Sequence, residues 1–342
     1  MVAHTVLRGI GINRRQKPTQ IVTKALCNLL CYTNEPCSLI SYYRVVSGTD
    51  IVETRREIDM HLSDKALLVH LGVSQWTAKK LDRKASAIVS TERVGNFNKT
   101  LLPTCNEIGV IHQKTSEIRK FVRHNTLPWG IEGTFILPSA NYLPFMVDFR
   151  KLRNGWLSLV DVLTGVYSDR VSEAERILNS GTHKLYNYSD YPTLDELGRK
   201  FKMDLRVLPV PTAGDFRVEL VAGEFESMKS DLEADLKEAS TAAIKDVWQR
   251  LYDKVAWLQG RLADPKNTFN TSTYKDAQDT CELLTRLNFT DDPNLEAMRL
   301  EMQNKLVSYH PDALRNDPVL RQDTADEAKA IMDKMAVFMG GL

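Results

Sequence analysis

Apolar residues recur every three or four positions along most of the chain after residue 100, which predicts helices. Two of the predicted helices are unusually long, about 139–179 and about 224–263. At 1.5 Å per residue each would be about 60 Å long, and helices of that length rarely stand alone. We therefore expect these two helices to pack against each other in antiparallel fashion.

Shorter helices are predicted at 103–124, 271–287, 292–307 and 318–339. The apolar run at 66–73 favours a strand. Within 181–221, two alternating stretches at 203–208 and 216–221 predict a small hairpin, and Thr193 with Glu196 forms a capping-box signal for a helix at 193–201. The pattern predicts a mainly α fold: a long antiparallel helix pair with a small α/β insert and a helical C-terminal tail.

The chain divides into four segments: 1–59, a basic segment 60–138, the long-helix pair 139–264 with its insert 181–221, and the tail 265–342. Residues 1–59 lack a sustained period and hold three of the five cysteines. Just before Met60, the run Arg55-Arg56-Glu57 can be encoded by a purine-rich stretch that resembles a bacterial ribosome-binding site. We expect translation to start at Met60; the alternative is a genuine N-terminal extension.

Composition excludes several classes of protein. The 342 residues are 43% hydrophobic, without an apolar run of the length that spans a membrane. Five cysteines without a CxxC pair, and histidines without HExxH, argue against a disulfide scaffold and a zinc site. No GxxxxGK[ST], dinucleotide-binding or GxSxG motif occurs. We expect no cofactor and favour a binding protein over an enzyme, although a catalytic site assembled only in the fold stays open.

Charge is distributed unevenly along the chain. Residues 60–126 carry 11 basic and 5 acidic side chains, whereas residues 127–342 carry 26 basic and 34 acidic ones. Cations beside aromatic rings suit a single nucleic-acid strand, which offers phosphates and stackable bases. The candidate nucleic-acid-binding residues are Trp76, Lys79, Lys80, Arg83, Lys84 and Lys99. Two alternatives remain: a solvated basic surface with Trp76 in the core, or docking of this segment onto an acidic helix of a second copy.

A second candidate is the segment that follows the helix at 103–124. Its prolines, glycines and aromatic rings place special demands on the backbone. Pro128, Trp129 and Tyr142 are candidates for a docking loop. The alternative is a structural corner between two helices.

Several stretches carry a resemblance to a known family: 76–84, 97–102, 126–129, 137–142 and 208–211. From Met60 onward, the chain resembles an uncharacterised family of tailed-bacteriophage proteins. The resemblance implies a phage protein made in the cytoplasm of an infected bacterium, and implies no activity for particular residues.

Two functions are expected from these observations. The first is a non-enzymatic phage protein that binds nucleic acid, with single-stranded DNA favoured, or the machinery that processes it. The second is a protein-interaction or scaffold protein whose long helices bind a phage or host protein. An exposed apolar stripe on 224–263 would favour the second, and a homo-oligomer is compatible with both.

Overall fold

The computed structural model of the chain describes residues 62–83, 86–87, 95–181, 184–212, 222–264 and 271–340. These residues belong to one unit, Asp59–Leu342. Residues 1–59 and the expected start at Met60 lie outside the described residues.

The described ranges contain nine helices and six strands. The helices are α1 (Leu62–Lys65), α2 (Asn106–Asn125), α3 (Tyr142–Asn179), α4 (Leu194–Lys200), α5 (Ala222–Ala263), α6 (Thr271–Leu287), α7 (Pro293–Lys305), α8 (Pro311–Asn316) and α9 (Pro318–Met339). The strands are β1 (Ala66–Ser74), β2 (Lys79–Leu81), β3 (Asn98–Thr100), β4 (Leu127–Pro128), β5 (Thr134–Pro138) and β6 (Lys202–Pro209). The mainly α class with a small α/β part is confirmed.

Four strands form an antiparallel sheet in the order β4-β5-β1-β6. Because side chains alternate along a strand, Leu68 and Val69 of β1 face opposite sides of the sheet. Both are buried, and each belongs to a different hydrophobic core. This explains why β1 reads as a continuous apolar run rather than an alternating one.

The sheet lies between the two cores. One face packs on a core built from α5 to α9, and the other packs on a core built from α2, α3 and α4. The expected pairing of the two long helices is wrong: the main helical partner of α3 is α2, and that of α5 is α9. The sheet is the reason, since each of its apolar faces needs its own helical layer.

The strand expected at 203–208 is confirmed as part of β6, but its partner is β1 rather than a neighbouring hairpin strand. The other expected strand, 216–221, lies outside the described residues. The sheet therefore joins residues from 66 to 209 and is not confined to the expected insert.

Arg250 of α5 connects the core of α5 to α9 with the end of α2, which belongs to the other core. Its guanidinium donates hydrogen bonds to the backbone oxygens of Arg123, His124 and Thr126 at 3.1, 2.6 and 2.7 Å. These carbonyls lie at the C-terminus of α2, where helical partners run out and the helix dipole favours a cation. Arg250 thus fixes the position of α2, which supports the site described next.

Candidate nucleic-acid interface

The basic segment forms a two-stranded antiparallel ribbon, β2 with β3. Ala78, just before β2, adopts a left-handed backbone with φ of 51°, and its carbonyl accepts a 2.7 Å hydrogen bond from the amide of Leu101. This bend turns the chain from Trp76 into the ribbon. Few side chains adopt such a φ, and small alanine fits here because it is almost fully buried.

Lys80 and Lys99 lie directly opposite each other in the ribbon. Two like charges in that position repel each other and share one face of the ribbon. Asp190, on the loop before α4, resolves the conflict: its two carboxylate oxygens lie 2.6 Å from Lys80 Nζ and 2.6 Å from Lys99 Nζ. Lys99 Nζ also donates to the backbone oxygen of Leu185 at 2.8 Å. One acidic side chain therefore attaches this face of the ribbon to the loop.

The electrostatics of Asp190 reflect this double pairing. Burial of the carboxylate raises its pKa, but hydrogen bonds from Lys80 and Lys99, together with their charges, outweigh burial. The pKa of Asp190 therefore lies below its ordinary value, and the group is ionised at neutral pH.

An open cleft of about 380 Å³ adjoins this ion pair. It is lined by Trp76, Ser189, Asp190, Tyr191, Pro192, Glu196, Arg199 and Lys200. Its size is within the range of small-ligand sites. The cleft brings Trp76 together with two exposed cations of α4, more than 120 residues away in the chain.

The two carboxylates of the cleft are already occupied by protein groups. Asp190 binds two lysines, and Glu196 Oε2 accepts a 2.9 Å hydrogen bond from the amide of Thr193 in the capping box of α4. Arg199 and Lys200 form no ion pair with any described residue. Glu196 stays ionised and offsets one of these two cations, so the cleft keeps one positive charge in excess, which suits an anion.

Buried tyrosines fix the wall of the cleft. The hydroxyl of Tyr167 donates to the backbone oxygen of Pro192 at 2.8 Å, and that of Tyr191 donates to Leu101 at 2.7 Å. Burial raises the pKa of Tyr167 to about 12 and raises that of Tyr191 further, so both hydroxyls stay protonated donors. The Trp76 ring meets Tyr167 edge to face, with 6.1 Å between ring centroids.

A buried polar chain holds the segment before Trp76 in place. Trp156 Nε1 donates to Thr115 Oγ1 at 2.9 Å, and Thr115 Oγ1 lies 2.9 Å from Gln75 Oε1. Trp156 and Thr115 are fully buried, on α3 and α2 respectively. The position of Trp76 is thus set by the packing of two helices, and the ring itself is half-buried.

The structure separates the predicted nucleic-acid-binding residues into groups. Lys79 and Arg83 are exposed and form no ion pair with a described residue; Lys80 is half-exposed and bound to Asp190. The Lys99 side chain is only 7% exposed, so its charge is used inside the fold. Lys84 lies outside the described residues. Of the five predicted residues that the structure describes, only Trp76 lines the cleft directly.

The proposed docking-loop residues occupy different surroundings. Pro128 pairs with Phe135 in the sheet, and half-buried Trp129 packs against the core of α5 to α9. Tyr142 begins α3 and packs against the other core. The two rings therefore lie in separate cores, an arrangement that fits a structural corner.

Sequence reasoning missed Asp190, Arg199 and Lys200. The signal for the two cations was present, because they end a helix whose capping box was recognised. Nothing local indicated that this helix would lie beside Trp76. That proximity follows from the pairing of β6 with β1, in which Lys202 lies opposite Ser74.

The part of the chain that the structure describes lacks the geometry of two other kinds of site. No group of three or more His, Cys, Asp or Glu side chains there is arranged to hold a metal ion. None of its helices is long and apolar enough to cross a membrane. No family model matches the chain, and no curated protein or solved structure shows significant similarity to it.

Proposed function

We propose that this chain binds nucleic acid, single-stranded DNA in preference to duplex, across the cleft and the adjoining ribbon. One observation carries the proposal: Trp76 shares a cleft with Arg199 and Lys200, whose two charges exceed the single charge of Glu196 beside them, while Asp190 is bound to two lysines. Phosphates need cations without internal partners, and bases need an accessible aromatic face.

The division of roles follows from exposure. Lys79, Arg83, Arg199 and Lys200 are exposed and contact phosphates; Lys84, next to Arg83 in the chain, is assigned the same role. Trp76 receives a base. Lys99 forms a buried ion pair with Asp190 that holds the ribbon in place, so it does not contact a phosphate. A half-buried ring in a cleft is reached by an unpaired base more readily than by a stacked pair, which is why a single strand is favoured.

The setting of this activity is proposed from the family resemblance. On that basis we infer a non-enzymatic bacteriophage protein that works in the cytoplasm of an infected bacterium. Its partner is then single-stranded DNA or the machinery that processes it.

The test is fluorescence anisotropy of the full chain with a labelled single strand and a labelled duplex, across a salt series. We expect tighter binding to the single strand and a log–log salt slope of about −0.7 per phosphate contacted. The double variant K79A/K200A is expected to weaken binding about tenfold or more and to flatten the slope by about 1.4, which is about 0.7 for each of the two contacts removed.

A matched control removes two exposed lysines elsewhere, K275A/K329A on α6 and α9. This variant has the same net charge as K79A/K200A, so it measures the effect of overall charge alone. Equal binding by both variants, or no binding to either probe at low salt, would refute the proposed interface.

A further inference from the structure

The N-terminal half of α5 extends beyond the helix that covers the rest of it. Arg321, near the start of α9, donates to the backbone oxygens of Arg261 and Leu262 at the end of α5. Phe338, at the far end of α9, stacks on Trp248 with 5.6 Å between ring centroids. The two helices therefore run antiparallel, and α9 ends near the middle of α5. None of residues 224–238 is buried, whereas Ala239 and many residues after it are.

This extended half carries an apolar stripe flanked by acidic side chains. Met228, Leu232 and Leu236 recur at a spacing of four and share one face. Met228 is 39% exposed, and Leu232 is half-buried and belongs to neither core. Exposed Asp231 and Asp235 follow one side of the stripe. Residues 224–238 contain six acidic and two basic side chains in all.

Leu236 packs against the core of α5 to α9, so Met228 and Leu232 form the open part of the stripe, and the charges beside them restrict which partner fits this face. Pairing with the same stripe of another copy would bring two acidic helices together, and like charges across an interface disfavour it. A partner that fits this stripe therefore presents apolar and basic side chains side by side.

The chain itself presents such a surface. On the ribbon, Lys79 and Leu81 lie two residues apart, on the face opposite the Lys80–Lys99 pair. Leu81 is 43% exposed, and exposed Arg83 follows it. Lys79 and Leu81 on the ribbon, with Arg83 just beyond its end, complement Asp231, Leu232 and Asp235 on the helix.

We propose that the acidic N-terminal half of α5 in one copy docks onto the outer face of the ribbon in a second copy. The occupant is a second copy because both complementary surfaces are exposed on the chain and therefore not in contact with each other within it. The contact is heterologous, so it produces either a closed ring or an open chain of copies. It does not require the proposed nucleic-acid binding, although the two would compete for Lys79 and Arg83.

The test is sedimentation velocity of the full chain, without nucleic acid, over a range of concentrations at low and high salt. We expect self-association that weakens at high salt. The charge-reversal variants D231K/D235K and K79E/R83E should each weaken it about tenfold or more. A mixture of the two variants should associate again, because the natural ribbon of D231K/D235K fits the natural helix of K79E/R83E, and the two reversed surfaces also fit each other.

Circular dichroism checks that both variants keep their helices, as expected for changes at exposed positions. A monomer at all concentrations in low salt would overturn the proposal. So would association that neither variant weakens, or a mixture that stays monomeric. The outcome is independent of the DNA test, since D231K/D235K leaves the proposed DNA contacts intact and should still bind a single strand.

Discussion

Lys99 and Asp190 form an ion pair inside the protein, with Lys99 Nζ 2.6 Å from Asp190 Oδ2 and side chains only 7% and 5% exposed. The pair joins the ribbon to the loop before α4 and sets one edge of the cleft. Removing a single partner of such a pair leaves a charge without compensation away from water, which costs more than the pair itself contributes.

Asp190→Asn is expected to lower the free energy of unfolding by about 3 kcal/mol, the lower end of the cost of breaking a buried pair, because buried Lys99 keeps only the more distant Asp82, at 3.6 Å, as a counter-charge. Lys99→Met should cost less, since Asp190 keeps Lys80 as a partner. Urea denaturation measures both, provided the slope of the transition is unchanged. Lys79→Met, at an exposed position on the same ribbon, is the control and should change stability by no more than about 0.5 kcal/mol. A similar small effect for Asp190→Asn would contradict the structural role given to the pair.

The same pair predicts a pH dependence. The pKa of Asp190 is lower in the folded chain than in the unfolded one, so the folded state binds fewer protons. Its contribution to stability is complete above the unfolded pKa, about 4, and is lost as the pH falls through the lower folded value. The unfolding free energy of the natural chain should therefore fall more steeply below about pH 4 than that of Asp190→Asn. Asp161→Asn, which removes an exposed carboxylate on α3, is the control and should keep the steep fall. If the unfolding free energy of all three proteins falls in parallel with pH, Asp190 is not the source of the pH dependence.

Arg250 is expected to be one of the more sensitive positions of α5. Arg250→Met removes hydrogen bonds to three carbonyls at the end of α2, so we expect a loss of about 2–3 kcal/mol. Because α2 supports the chain before Trp76, the variant should also weaken binding of a single strand. Lys245→Met, exposed on the same helix, provides the comparison. If both variants unfold at the same urea concentration, the hydrogen bonds from Arg250 to the end of α2 do not stabilise the fold.

Trp76→Ala tests the stacking role directly. Stacking of a base on an aromatic ring is worth about 1–3 kcal/mol, so single-strand affinity should fall roughly five- to a hundredfold. Duplex affinity should change much less, since paired bases do not reach the ring. Trp257→Ala, on an exposed helix surface flanked by Lys254 and Arg261, is the aromatic control. Equal losses for single strand and duplex would remove the stacking role and leave only the cationic surface.

Much of the secondary structure could be predicted from the sequence, because it depends on local periodicity and caps. The helix at 271–287 and the capping box of Thr193 and Glu196 are where the pattern placed them. The strand at 66–73 was also recognisable, because a strand buried on both faces is apolar throughout.

The candidate site was predicted only in part. Trp76 and its neighbouring cations were recognised from residue type, but nothing in the sequence distinguishes exposed Lys79 from buried Lys99. Their difference arises from the ribbon register, which turns Lys80 and Lys99 toward Asp190 and Lys79 away from it. Strands of only three residues have too short an alternating pattern for the sequence to predict that register.

The sequence by itself determined which segments are helices and strands and where the positive charge lies, because neighbouring residues decide both. Only the tertiary structure decided that the two long helices serve different cores, and that Arg199 and Lys200 lie beside Trp76. The physical reason is that β1 can be buried on both faces only when a helical layer covers each side. The same strand, by pairing with β6, brings together residues more than 120 positions apart.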